Sequence, residues 1–130
     1  MEEKFIIGKN EYSVRYNETA ISNILEQIGV CNKRKLVEFA LVCYACANNK
    51  LNLVWEALAL KTGLARSTVA VHIRNALIGA EYNGGLKNID DILGVEFYDY
   101  DFGLTSKNFL AVLSRHLLNQ GSIIVKIVEK

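Results

Sequence analysis

Residues 51–85 read LNLVWEALALKTGLARSTVAVHIRNALIGAEYNGG, and this stretch decides the fold. Trp55, Leu58 and Ala59 recur at helical spacing, Gly63 supplies a permissive backbone, and Leu64 is placed to plug the angle between two helices. Beyond the glycine, Val69, Ile73, Ala76 and Leu77 return at steps of four, three and one, which is the period of a second amphipathic helix. Helix-turn-helix motifs place a small residue four before the turn glycine and a branched apolar residue six after it. Ala59, Gly63 and Val69 meet that pattern. The second helix, about 66–80, then turns Arg66, Ser67, Thr68, Ala70, Val71, Arg74 and Asn75 outward, with His72 at the boundary.

On the N-terminal side, Phe5, Ile6 and Ile7, a turn at 8–11, and the alternation of Tyr12, Val14 and Tyr16 predict a β-hairpin over 1–16. Asn17 is a good N-cap for a helix over about 18–28, whose face is Ile21, Ile24, Leu25 and Ile28 and whose end is Gly29. A second helix is expected from near Asn32 to about Asn48; it is apolar almost all round, which marks it as central. On the C-terminal side, 87–94 reads as a short helix ended by Gly94. The aromatic and acidic segment VEFYDYDFG is either extended or a loop packed by its own rings. Thr105 or Ser106 then caps a helix burying Phe109, Leu110, Val112, Leu113, Leu117 and Leu118 and closed by Gly121. The β-branched run 122–129 predicts a last strand, free to pair with the hairpin. The expected architecture is therefore mainly α: a helix-turn-helix bundle over 17–121, with a hairpin at 1–16, a strand at 122–130 and one domain overall.

Composition narrows the function. The chain has 130 residues, 51% of them hydrophobic and 22% charged, enough apolar surface for a single packed core. Its longest apolar run, 39–47, is too short for a membrane span, and the start Met1-Glu2-Glu3-Lys4 lacks the pattern of a secretory signal, so a cytoplasmic location is expected. A net charge of +1 argues against a general nucleic-acid coat. The charge is uneven, however. Residues 55–80 carry Lys61, Arg66 and Arg74 against Glu56, whereas 81–101 carry six acids against Lys87, which confines an anion-binding surface to the region before residue 81.

Cys43 and Cys46 have the spacing of many thiolate sites, but they lie in an apolar helix, and no second pair of cysteines or histidines completes a four-ligand zinc site. Packing is the expected role, ahead of a redox or zinc sensor. No phosphate loop, nucleophile elbow or paired-histidine motif is present, so neither an enzyme nor a cofactor is expected.

The segments ISNILEQIGV, LALKTGLARSTVAVHIRNAL, NIDDILG and TSKNFLAVLSRHL, taken in order, resemble the C-terminal DNA-binding effector domain of the master response regulator that initiates sporulation in endospore-forming bacteria. The resemblance spans about residues 20–118. It implies an all-helical fold whose second motif helix enters the major groove, binding as adjacent copies, and contact with RNA polymerase. The sequence departs from that family in three ways. Sixteen residues before the domain cannot hold a receiver, so control by a fused receiver is not expected. The connection 48–55 is shorter. Thr68, Ala70 and Val71 stand where the family has charged side chains, while Arg74 persists and Asn75 replaces a histidine.

The expected function is thus a sequence-specific transcriptional regulator binding double-stranded DNA through Lys61, Arg66, Ser67, Thr68, Val71, His72, Arg74 and Asn75, and forming a homodimer through the terminal strands. The operator read by the family is not expected to be read unchanged, since Ala70 and Val71 offer only apolar contact to a thymine methyl. The alternative is a protein-interaction module that keeps the fold, has lost DNA reading, and modulates a regulator or the polymerase. Arg66 and Arg74 are then a solvated helix face.

Overall fold

The computed structural model describes residues 1–47 and 50–128. Strand β1 (Glu2–Ile7) turns at Gly8 and Lys9 into β2 (Asn10–Tyr16). The hairpin is tighter than the sequence suggested, because Gly8 takes φ +62° and lets Asn10 and Glu11 join the ladder opposite Ile7 and Ile6. Helices α1 (Glu18–Gln27), α2 (Arg34–Ala47), α3 (Leu51–Thr62) and α4 (Arg66–Tyr82) follow. A 3₁₀ turn (Leu86–Asn88) leads into the short α5 (Ile89–Leu93), and α6 (Ser106–Asn119) precedes β3 (Ile123–Ile127). The end of the predicted second helix at Asn48 and the end of the predicted strand, Glu129 and Lys130, lie outside the described residues.

The fold is mainly helical with one antiparallel sheet in the order β1-β2-β3. The terminal strands pair within the chain: Tyr16 lies opposite Ile123 and Tyr12 opposite Ile127. Phe5, Ile7, Val14, Tyr16 and Ile123 point from this sheet into the same core as Leu41, Leu58, Ile73 and Phe109, so the hairpin is part of the domain rather than an appendage. Two helix starts agree with their caps, since Asn17 Oδ1 accepts from the Ala20 amide at 3.0 Å and Thr105 Oγ1 from the Asn108 amide at 3.1 Å. Helix α2 starts two residues later than expected because Lys33 adopts a left-handed conformation, φ 57°. On α6, Val112 is only half-buried and Leu118 is 38% exposed, one position off the stripe formed by Phe109, Leu110, Leu113 and Leu117.

The joint between the end of α1 and the end of α4 is a backbone contact. Asn83 Nδ2 donates to the Gly29 carbonyl at 2.9 Å, and Asn83 Oδ1 accepts from the Gly85 amide at 3.1 Å. A Cβ on Gly85 would stand 2.8 Å from the Ile28 carbonyl oxygen and 2.9 Å from Gly29 Cα, so the approach requires glycine there. Gly85→Ala is expected to destabilise the fold by about 1–3 kcal/mol, the usual cost of overpacking. Gly79→Ala, inside α4 with open space around the new methyl, is expected to stabilise by about 0.5–1 kcal/mol. Urea denaturation of the two variants checks both signs.

Candidate nucleic-acid interface

Helix α3 ends as the sequence predicts. Gly63 has φ 77° and its amide donates to the Ala59 carbonyl at 2.9 Å, while Thr62 Oγ1 donates to the Leu58 carbonyl at 2.7 Å and accepts from the Leu64 amide at 3.3 Å. Residues 63–65 form the turn, and α4 leaves it with Val69, Ile73, Ala76 and Leu77 buried. Leu64 does not plug the angle: its side chain is exposed, and Val54, Trp55, Ala57 and Leu58 do the packing on α3.

The exposed side chains on the first half of α4 are Arg66, Ser67, Val71, Arg74 and Asn75. Thr68 is half-buried, and Ala70 is packed against the core, so the outward apolar contribution is Val71 alone. His72 is half-buried and its Nδ1 is turned inside, with no hydrogen-bond partner among the described residues, which takes that nitrogen away from the face. Ala65, the N-cap, gives no side-chain bond to the first amides of α4, which stay available at the positive end of the helix dipole. Arg66 Nη1 lies 3.0 Å from Glu56 Oε1 across the turn, an ion pair the sequence offered no simple signal for because the partners are ten residues apart. Both side chains are solvent-exposed, so the pair is weak and a phosphate can displace it.

Lys61 is placed elsewhere. Its ammonium sits 2.6 Å from Glu3 Oε2, 4.8 Å from the Phe5 ring centre and 3.4 Å from the Lys4 carbonyl oxygen, and so holds α3 to β1. Two residues of the basic run 33–35 are similarly engaged, with Arg34 Nε donating to the Val30 carbonyl and Lys35 bridging Glu18 and the buried Glu38.

The acidic segment after α5 is a loop held by its own carboxylates more than by its rings, of which Tyr100 and Phe102 are 75% and 89% exposed. Asp90 Oδ1 accepts from the amides of Phe97 and Tyr98, Asp99 Oδ1 from those of Asp101 and Phe102, and the Tyr98 and Tyr100 rings meet edge to face at 5.1 Å. Tyr98 Oη donates to Glu81 Oε1 at 2.9 Å, fastening the loop to the second half of α4; burial and that bond push its hydroxyl up to about 12. Between loop and helix lies a groove of about 380 Å³ lined by Arg74, Leu77, Ile78, Glu81, Phe102 and Leu104. Helix α4 is therefore cationic along its first half and flanked by acidic residues along its second, with Arg74 at the boundary, where it lines the groove.

Cys43 and Cys46 are buried on α2, and Cys46 Sγ donates to the Val42 carbonyl at 3.5 Å. Burial raises both thiols, that of Cys46 to about 12, which disfavours the thiolate needed for redox chemistry or metal ligation. No group of three or more His, Cys, Asp or Glu side chains that could hold a metal ion is found among the described residues. A thiol-specific reagent at pH 8 is expected to modify the exposed Cys31 in the native protein, and Cys43 and Cys46 only after denaturation. Rapid reaction of all three thiols in the folded state would contradict the packing role.

No helix among the described residues is long and apolar enough to cross a membrane. No protein-family model matches the chain, and the curated proteins include no significant match to it.

Proposed function

We propose that this chain is a sequence-specific DNA-binding transcriptional regulator that places the first half of α4 in the major groove. The observation that carries this reading is the open face of Arg66, Ser67, Val71, Arg74 and Asn75, presented directly after a three-residue turn with the first amides of α4 uncapped. The amides, Ser67 and Arg66 suit phosphate, and Arg74 and Asn75 are long or polar enough to meet a base edge. A bidentate arginine contact to guanine contributes about 1–3 kcal/mol of discrimination, and Val71 can pack on a thymine methyl. The resemblance to the sporulation regulator's effector domain supports the same use of this helix, with RNA polymerase as the second partner and the cytoplasm as the site of action. Lys61, Thr68 and His72 contribute less to this interface, since the ammonium is held by Glu3 and the other two are half-buried.

The second reading, a protein-interaction module, is favoured by the other half of α4. Phe102, 89% exposed, lines the groove with Ile78 and Glu81, and Tyr82 at the end of α4 is 93% exposed; apolar surface next to a carboxylate disfavours phosphate and suits a basic, apolar partner. Titrating ¹⁵N-labelled protein with a mixed-sequence duplex at low salt separates the two. DNA binding is expected to shift the amides of 65–75 and leave 95–103 in place. Absence of any shift would reject the first reading in favour of the second.

A further inference from the structure

The sheet has two outer edges, β1 and β3, and among the described residues a side chain of α3 reaches the first of them. Met1 and Tyr16 exchange backbone hydrogen bonds, at 2.9 and 3.2 Å, so the odd-numbered residues of β1 face β2 and its even-numbered residues face outward. On that outward side, Lys61 of α3 reaches the Lys4 carbonyl oxygen and pairs with Glu3, closing the β1 edge with a charge. On β3 the alternation runs the other way. The Val128 amide donates to Glu11 and the Asn17 amide to Ser122, at 2.9 and 2.8 Å, so even-numbered residues face β2. The backbone groups of Ile123, Val125 and Ile127 are left pointing out of the sheet.

This open edge has no proline, its five residues are IIVKI, and two of its isoleucines are uncovered: Ile124 is 52% exposed and Ile127 is 62% exposed. Ile127 has the parity of the core-facing side chains Ile123 and Val125, yet the sheet ends before anything covers it. Such an edge is a template for another strand.

We infer that β3 pairs antiparallel with β3 of a second copy of this chain, on a two-fold axis through Val125, forming a closed dimer with a six-stranded sheet. Val125 is the middle residue of the strand and one of those facing outward, so a two-fold axis there lets Val125 of each copy exchange both backbone bonds with the other. Ile127 then lies opposite Ile123 of the second copy, which supplies its missing cover on the core side. Lys126 lies opposite Ile124 of the second copy and lays its aliphatic stem on that isoleucine. Charge selects the register as well. An axis through Lys126 would let Val125 and Ile127 exchange the backbone bonds equally well, but it would set ammonium against ammonium. Closure at two copies follows because the two-fold contact uses the same edge of both copies, and Lys61 obstructs the β1 edge at Lys4. The inference is independent of DNA binding, though two copies related by a two-fold axis also suit a palindromic operator.

Sedimentation of the full chain from micromolar to near-millimolar concentration tests the pairing, together with amide exchange. The expected result is a reversible monomer–dimer equilibrium. The amides of Ile123, Val125 and Ile127 become protected in proportion to the dimer fraction, while those of Ile124 and Lys126 are protected at every concentration. Val125→Pro removes an outward donor without touching the bonds to β2, and Ile127→Lys sets a charge against the apolar cover; each is expected to leave a monomer over the whole range. A chain that stays monomeric throughout, or a dimer whose edge amides exchange freely, overturns the inference. So does a dimer that survives both substitutions. Should Val125→Pro perturb folding, Ile127→Lys and the wild-type exchange pattern still decide.

Discussion

Leu117→Ala is expected to destabilise the protein by about 2–5 kcal/mol, whereas Leu118→Ala, one residue on and 38% exposed, is expected to cost about 1 kcal/mol or less. Leu117 is fully buried on the face of α6 that packs against α2, with Phe109, Leu110 and Leu113. Its truncation leaves a cavity in tightly packed surroundings, and the larger end of that range approaches the whole stability of a domain of this size. Leu118 points away from the stripe and is already wet. Equilibrium urea unfolding of both variants reads the difference, and equal losses would mean that α6 is rotated relative to this structure.

The second large effect concerns charge. Arg66→Ala with Arg74→Ala removes the two exposed cations of the open face of α4 while leaving Val69, Ile73 and Leu77 in the core. If both guanidiniums sit on phosphates, the slope of log affinity against log salt falls by roughly 0.9 for each, or about 1.8 together. If Arg74 reads a base instead, the slope falls by about one contact and discrimination at that base pair relaxes. Fluorescence anisotropy over a salt series distinguishes these outcomes. A slope unchanged by the double substitution would place any DNA contact elsewhere on the molecule.

Most of the helical framework was legible because its signals are local. Asn17 caps the helix it was expected to cap, Thr105 is the cap of the two candidates Thr105 and Ser106, Gly29, Gly63, Gly94 and Gly121 take left-handed conformations at the expected ends, and the 3.6-residue period placed Val69, Ile73, Ala76 and Leu77 inside. The deviations come from tertiary contacts that a one-dimensional pattern does not encode. Ala70 is small enough to be drawn against the core although it lies on the nominal outer face, and Leu64 stays outside because Trp55 and Leu58 already fill the helix junction. Lys61 looked like a cation of the recognition surface, but the hairpin, more than fifty residues earlier in the chain, supplies Glu3 and Phe5 to hold it. The acid count over 81–101 gave the sign of this region but not its second role, in which Glu81, Asp90 and Asp99 accept the hydrogen bonds that build the loop while keeping their charge. Sequence likewise left open whether the terminal strands pair within one chain or between two. Within the chain both do, and the edge left over is that of β3.

Selection from a randomised duplex library at two salt concentrations tests most directly whether the first half of α4 reads duplex DNA. Enrichment of a short motif is predicted for the wild type, weakened at the higher salt and lost in the Arg66→Ala/Arg74→Ala protein. No enrichment, with equally weak retention of wild type and variant, would contradict the account and leave α4 and its flanking groove as a surface for a protein partner.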